Sequence, residues 1–372
     1  MGKFAFIIHP LNARRDVARR YPIAKMLPER AVEWIFAKRD PMAVAHITGI
    51  RSATGAETEG WFIACPFTPR QFLTLPVEQV YDKLEKCGRI AEELGCGLVG
   101  LGAFTSVVGD GGITLSKRLS IAVTTGNSYT VATALRGAER GARLMGIRPS
   151  EATAAVIGAT GSVGATCAEV LARDVAHVVL IGRSTGKLAA LQERLAPGAR
   201  AQVSQTTDIA AGLRDADIVI AVSSAAEAIV QPQHIKRGAV VCDVARPRDV
   251  SVSVARERDD VLIIEGGVVQ VPGPVACTSL SSGRHFSFGF PPGTAYACIS
   301  ETMALTLEGR MESFTLGKDV SVGQVAEISE ICDRHGFRLA GFRSFERAVE
   351  EGEIAAIRAR AGRQALSDEQ DA

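Results

Sequence analysis

A chain of 372 residues is long enough for two or three domains, each with a sizeable core. Apolar residues make up 47% and charged residues 22%, the balance of a globular protein rather than a disordered or fibrous one. Forty-two basic against 41 acidic residues leave a formal charge of +1, which argues against a general nucleic-acid or membrane-surface role.

The first 150 residues read as an α/β substrate or partner domain. Phe4 to Ile8 reads as a strand, too short an apolar run for a secretory signal. Residues 11–39 are rich in cations, among them Arg14, Arg15, Arg19, Arg20, Lys25 and Arg30. Tyr21 and Lys25 have the spacing of a short-chain dehydrogenase pair, but they lie far before any dinucleotide turn, so the catalytic reading is set aside. Strands are expected at His46 to Arg51, Gly60 to Cys65 and Leu98 to Gly102. Apolar spacing predicts helices over Leu75 to Leu94 and Val131 to Met145.

Residues 151–270 carry the strongest local signal. Ala154 to Ile157 reads as a buried strand, followed by Gly158-Ala159-Thr160-Gly161-Ser162-Val163-Gly164, a helix and a second strand from His177 to Ile181. That is one β-α-β unit with three glycines at the first turn, the setting of a Rossmann-type dinucleotide site. Gly158 turns the chain off the strand, Gly161 lets backbone approach a pyrophosphate, and Gly164 allows close helix packing. The helix N-terminus offers free N–H groups to phosphate. After the second strand stand Arg183, Ser184 and Lys187 rather than an acidic residue, which suits the 2′-phosphate of NADP(H). Further strands are expected at Ala216 to Val222, Gly238 to Asp243 and Val261 to Ile264. Their C-terminal ends, including Val222, Ser223, Asp243 to Ala245 and Gly266-Gly267, are expected either to face the ribose and nicotinamide or to be ordinary turns.

Residues 271–345 open with a Gly/Pro/Ser-rich loop at 273–293 and continue as helices. Thr294 is the expected N-cap of a helix reaching Gly309, which places Cys298 near the end of its first turn. There the helix dipole favours a thiolate. Glu301, three residues on, shares that side and can accept the thiol proton. The eight cysteines include no Cys-x-x-Cys, and no zinc-finger spacing is present, so no metal is expected. The thiols read as reduced, in a cytoplasmic protein, and most as small buried hydrophobes. Cys277, on the loop, is a weaker reactive candidate than Cys298. Val320 to Arg334 reads as a helix stopped at Gly336, Phe345 to Arg360 as another, and residues 346–372 as a C-terminal extension whose last six residues fray.

Several stretches in one order resemble the cyanobacterial-type long-chain acyl-[acyl-carrier-protein] reductases. They are Leu101 to Val108, Thr124 to Thr130, Gly158 to Gly161, Gly266-Gly267, Ala297-Cys298-x-x-Glu301 and His335 to Phe337. The resemblance implies an N-terminal α/β domain followed by a doubly wound NADP-binding domain and a helical C-terminal segment. It implies a reductase of the oxidoreductase class that uses NADPH and takes long-chain acyl thioesters, on acyl carrier protein or coenzyme A, to a fatty aldehyde. Cys298 would be the nucleophile, and Gly126, Asn127 and Gly267 candidate donors to the oxyanion. A partner enzyme that consumes the aldehyde is a further implication. The loop at 271–293 and the extension after Phe342 depart from the family pattern. The Arg-rich N-terminal region is either a solvated face or a dock for an acidic acyl carrier protein, and peripheral membrane contact stays open. Two other readings remain: a non-covalent NADP-dependent dehydrogenase resembling shikimate dehydrogenase, and an NADPH-binding sensor without activity.

Overall fold

The computed structural model describes residues 1–18, 21–225, 227–286 and 291–366. Arg19, Arg20, part of the 271–293 loop and the last six residues lie outside them. The chain divides into two compact units. The first comprises Met1–Tyr129, Val269–Asp319 and Glu327–Arg338; the second comprises Thr130–Val268, Val320–Ala326 and Leu339–Ala372. The expected boundaries differ from this division. The segment carrying Cys298 is not a separate domain but joins the N-terminal unit.

The first unit is built on a six-stranded sheet. Its strands are β1 (Gly2–Ile8), β2 (Met42–Arg51), β3 (Glu57–Ala64), β4 (Leu98–Leu101), β5 (Ala122–Thr124) and a late edge strand, Ala276–Ser279. The edge strand lies antiparallel on β2, which is antiparallel to β3. From there the order runs β3, β1, β4, β5, all parallel. Apolar side chains alternate across it. Ala5, Ile7, Trp61, Ile63 and Val99 point into a core closed by the helix Val77–Glu93, whose Val80, Leu84, Cys87 and Ala91 recur at helical spacing. On the opposite face Phe6 fills the space above Gly100 and Gly102, where a Cβ would stand 2.4 and 2.6 Å from its ring. The helix Ala297–Leu307 crosses that face, with Thr302 against Gly100.

The edge strand corrects the reading of 273–293 as an unstructured loop. Ala276 to Ser279 match the β2 edge residue for residue. A period-2 signal is weak there because the strand is only four residues long and buries none of them fully.

The second unit contains a six-stranded, wholly parallel sheet in the order β11-β10-β9-β6-β7-β8. The strands are β6 (Thr153–Ile157), β7 (His177–Ile181), β8 (Gln202–Thr206), β9 (Ile218–Ala221), β10 (Val240–Asp243) and β11 (Leu262–Glu265). Order and direction are those of a doubly wound Rossmann sheet, as expected. The C-terminal helix Glu351–Arg360 buries Ile354 and Ile357. The extension is tied down where Arg358 donates to the Leu144 carbonyl at 2.8 Å and Arg363 to Asp217 at 2.6 Å.

Before that helix, where a helix was expected to begin at Phe345, the chain makes a hairpin of Arg343–Ser344 and Arg347–Ala348. Its two turn residues, Phe345 and Glu346, have φ of 48° and 69°, the positive values of a primed turn in which Asn-Gly is the usual pair. A side chain in that region costs about 1 kcal/mol. Glu346→Gly keeps the N–H bond to Glu265 and loses only an exposed pair with Arg248. We expect this variant to melt roughly 2 °C higher in a thermal scan.

Candidate active site

In an open α/β sheet, ligands bind beyond the C-terminal strand ends where the strand order reverses. In the first unit the chain moves from β1 out to β2 and β3 on one side, then returns to β4 and β5 on the other. The reversal therefore falls between β1 and β4. His9 follows β1, and Gly102-Ala103 follow β4.

Cys298 comes to this place. A Cβ built on Gly102 would lie 3.7 Å from the Cys298 sulfur, and one on Gly126 would collide with the Cys298 Cα at 2.3 Å. Gly126 also has φ +73°, so that position suits glycine on both counts. Cys298 is the second residue of its helix, two residues nearer its start than expected, because Thr294 is not the cap. Thr294 lies in the extended segment Thr294–Tyr296, and its hydroxyl donates to the Pro291 carbonyl. Tyr296 takes the N-cap position without a side-chain cap. The first N–H groups of the helix therefore lack an intrahelical partner beside the thiol.

The other cysteines differ. Cys65, Cys87, Cys96, Cys167, Cys242 and Cys332 are buried; Cys277 and Cys298 are half-buried. Burial pushes the Cys277 thiol up to about 11 and the Cys96 and Cys242 thiols to about 12, which makes them poor nucleophiles at neutral pH.

Glu301 has a different task from the one expected of it. It is fully buried. Its Oε1 accepts the Thr124 hydroxyl at 2.6 Å and the Thr315 hydroxyl at 2.9 Å, and its Oε2 accepts the Tyr129 N–H at 2.9 Å. The Gly126 N–H also bonds to it. Burial pushes its carboxyl above the ordinary range, against the pull of these donors. Glu301 therefore works as a brace, pinning the turn from Thr124 to Tyr129 onto the Cys298 helix. Thr315 extends the brace: its N–H donates to Thr124 Oγ1 at 3.2 Å and its carbonyl accepts the Thr125 N–H at 2.9 Å. Asn127 is half-buried at the start of the helix Asn127–Leu144, beside Gly126. Gly267 falls in the other unit.

His335 is also a tie. It is buried between Ser52, 2.7 Å from Nδ1, and Glu308, 2.7 Å from Nε2. Sequence reasoning passed over His9. Burial lowers its pKa to about 4, so the ring is neutral at physiological pH. Its Nε2 accepts the Phe104 N–H at 3.3 Å, next to Ala103, which is held at φ +50°. The only available signal was its position at a strand end before Pro10.

In the second unit the turn after β6 has the glycine geometry of a dinucleotide cradle. Gly158 has φ +80°, and a Cβ there would meet Val222 O and Ser223 Cα at 2.9 Å. A Cβ on Gly164 would meet Gly158 O at 2.3 Å, so the helix Ser162–Asp174 packs close behind the turn. Gly161 is the N-cap, and Ala159 is buried while Thr160 is exposed. Ser162 and Val163 open the helix. Arg183, Ser184 and Lys187 are exposed after β7. Ser184 caps the next helix by accepting the Lys187 N–H, and the Arg183 and Lys187 side chains have no ion-pair partner among the described residues. These groups fit a phosphorylated dinucleotide: backbone N–H groups for the pyrophosphate and two free cations for a 2′-phosphate. Among the described residues no group of three His, Cys, Asp or Glu side chains can hold a metal.

Two strand-end residues turn inward rather than toward a ribose. The Ser223 hydroxyl donates to Asp249 at 2.5 Å and its N–H to the same carboxylate at 2.8 Å. Asp243 accepts the N–H groups of Ala245 at 3.1 Å and Val250 at 3.0 Å. Both carboxylates are buried and organise the segment after β10.

A family model described as shikimate / quinate 5-dehydrogenase matches residues 142–264. The chain is 26% identical over 381 residues to "Aminotransferase PigE" of a Serratia species, covering 99% of this chain and 43% of that protein, so it spans less than half the length of that relative. It is 28% identical over 339 residues to the "Long-chain acyl-[acyl-carrier-protein] reductase" of Synechococcus elongatus, covering 88% of this chain and 95% of that one. Among solved structures, quinate dehydrogenase from Corynebacterium glutamicum with NAD aligns at TM-score 0.33 and 16% identity, over 66% of this chain and 80% of that one.

Two outcomes follow. Glu301→Gln places an amide N–H₂ among four donors, and we expect a loss of about 2–4 kcal/mol in denaturant unfolding with slower alkylation of Cys298. Asp243 is raised by burial from the ordinary 3.8 to about 6. A carboxyl raised on folding contributes its stability in full below its unfolded pKa and loses it as pH rises through the folded one. Wild type should therefore lose stability relative to Asp243→Asn between pH 4 and 6, read as the difference between their denaturant midpoints.

Proposed function

We propose that this protein is an NADPH-dependent oxidoreductase that reduces an acyl thioester to an aldehyde through an acyl group held on Cys298. The observation that carries the reading is the half-buried thiol at a helix start, at the reversal point of the sheet, closed in by Gly102 and Gly126. Likeness to the Synechococcus reductase over nearly the whole of both chains supports it. An apolar pocket in the same unit, lined by Ile47, Phe62, Phe286, Tyr296, Ile299 and Met303, supports an alkyl substituent. Tyr296 and Ile299 flank Cys298 along the helix.

The chemistry uses those residues as follows. The Cys298 sulfur adds to the thioester carbonyl, and N–H groups at the start of its helix stabilise the oxygen that gains charge. The carbonyl reforms as the carrier thiolate leaves, so one thioester replaces another. The Gly158–Gly164 turn with Arg183 and Lys187 would hold NADPH, which would supply the hydride equivalent that reduction of a thioester to an aldehyde consumes. The hemithioacetal on Cys298 then breaks its C–S bond, releasing aldehyde and thiol. Acyl carrier protein and coenzyme A are both admissible carriers, and an aldehyde-consuming enzyme would follow in the cell.

A second reading is favoured by one observation, the shikimate-type match over residues 142–264. There a dehydrogenase would work without a covalent intermediate, and Cys298→Ser would retain activity.

The deciding experiment is intact-protein mass spectrometry after mixing with a long-chain acyl-CoA or acyl carrier protein thioester, without cofactor. Wild type should gain the mass of one acyl group, Cys298→Ala should gain none, and added NADPH should discharge the adduct. An unmodified wild type, or an adduct that persists in the alanine variant, would count against the covalent route. Cofactor choice is tested separately. Arg183→Ala with Lys187→Ala should raise the KM for NADPH at least tenfold, on the scale of one lost charge-assisted bond, and leave that for NADH nearly unchanged.

A further inference from the structure

The near-zero charge of the whole chain conceals a local imbalance. Between residues 21 and 39 stand Lys25, Arg30, Lys38 and Arg39 against Glu29 and Glu33. Glu33 is buried and paired with Arg70, and Glu29 accepts Asn12. None of the four cations meets a carboxylate among the described residues. Arg118, by contrast, faces Glu78, Asp82 and Glu85.

Large apolar side chains alternate with these cations and are left in water. Ile23 is 68% exposed, Met26 84%, Trp34 62% and Ile35 45%. Ile23 and Met26 are three apart in the 3₁₀ turn Pro22–Met26, so they share its outer side, while Ala24 is buried. Arg30, Trp34 and Lys38 follow one another at four-residue spacing along the helix Glu29–Ala37 and its C-cap, on the side away from buried Val32 and Glu33. The Lys38 ammonium lies 3.4 Å from the Trp34 ring centroid. This small helical lobe already has its own core of Ala13, Val17, Ala18, Ala24 and Val32. The outer apolar groups are therefore surplus to folding.

Exposed Trp, Ile and Met between unpaired Lys and Arg form the pattern of a surface that lies in the headgroup plane of a membrane. Apolar tips enter the acyl boundary, and cations meet lipid phosphates. We propose that residues 21–39 form a docking surface for an anionic lipid bilayer. Charge complementarity selects this occupant: four cations that meet no carboxylate among the described residues match an anionic surface, and the apolar groups between them match what lies under its headgroups. The Arg-rich region 11–39 as a whole was expected as a dock for acyl carrier protein, and of its cations Arg14 and Arg15 are engaged within the chain. Arg14 is held on the Lys25 carbonyl, Arg15 pairs with Asp16, and Arg19 and Arg20 lie outside the described residues. The inference is independent of the reaction at Cys298.

The chain's two tryptophans supply the readout, because Trp61 is only 9% exposed and Trp34 is the accessible one. The full chain is mixed with vesicles of phosphatidylcholine alone or with phosphatidylglycerol, then followed by flotation and tryptophan emission. We expect co-flotation and a blue shift with the anionic vesicles and neither with the neutral ones. Lys25→Gln with Arg30→Gln should weaken binding roughly 30-fold, from about fivefold per cation. Ile23→Ser with Met26→Ser should abolish the blue shift. All four positions are exposed, and an unchanged melting curve checks the fold of each variant. The proposal is overturned if wild type stays unbound with anionic vesicles, or if both double variants bind as wild type does. Capture of an acidic carrier protein without any vesicle binding also overturns it.

Discussion

A single buried carboxylate holds the first unit's site together. Glu301 faces four donors drawn from two places in the chain: the turn with Thr124 and the Gly126 and Tyr129 N–H groups, and Thr315. A charge taken out of water is costly unless its acceptor positions are filled, and here they are filled by groups that must come together for that purpose. The turn from Thr124 to Tyr129 is short and is anchored at one end by the fully buried Tyr129 ring. Glu301 joins it to the helix of Cys298, against which Gly126 lies.

This constraint gives a physical meaning to the stretches whose sequence resembles the acyl-carrier-protein reductases. Leu101-Gly102 ends β4, and its glycine leaves room for the Phe6 ring and the thiol. Thr124 to Thr130 supplies the braced turn, and Cys298 with Glu301 supplies the helix start and the brace. His335 ties the helix ending at that residue to Ser52 and Glu308. Four separate segments thus have one structural product, a half-buried thiol at a helix start against a glycine turn. In the second unit the same economy appears in the turn after β6, where backbone closeness requires glycine at Gly158 and Gly164. Ser223, Asp243 and Asp249 there serve the strand-end loops instead of an incoming ligand.

Surface and interior follow different rules in this molecule. Many surface arginines face nearby carboxylates, each such contact worth little by itself in water. The lobe at residues 21–39 instead sets apolar groups in solvent beside cations that meet no carboxylate among the described residues. A composition averaged over 372 residues hides this, because an even overall balance says nothing about where charges lie.

By itself the sequence determined what short-range physics encodes. The β-α-β unit and its glycines were legible because strand and helix periods are local and a tight turn demands glycine within a few residues. The placement of Cys298 near a helix start was legible for the same reason, to within one turn. Only the tertiary structure decided what each polar group meets. Thr124 and Glu301 are 177 positions apart, and no local pattern reports that the carboxylate is filled by a distant turn rather than left for the thiol. It also turned Ala276–Ser279 into an edge strand and Phe345-Glu346 into a hairpin turn. Both depend on a partner strand, and pairing energy appears only once the two backbones are brought side by side.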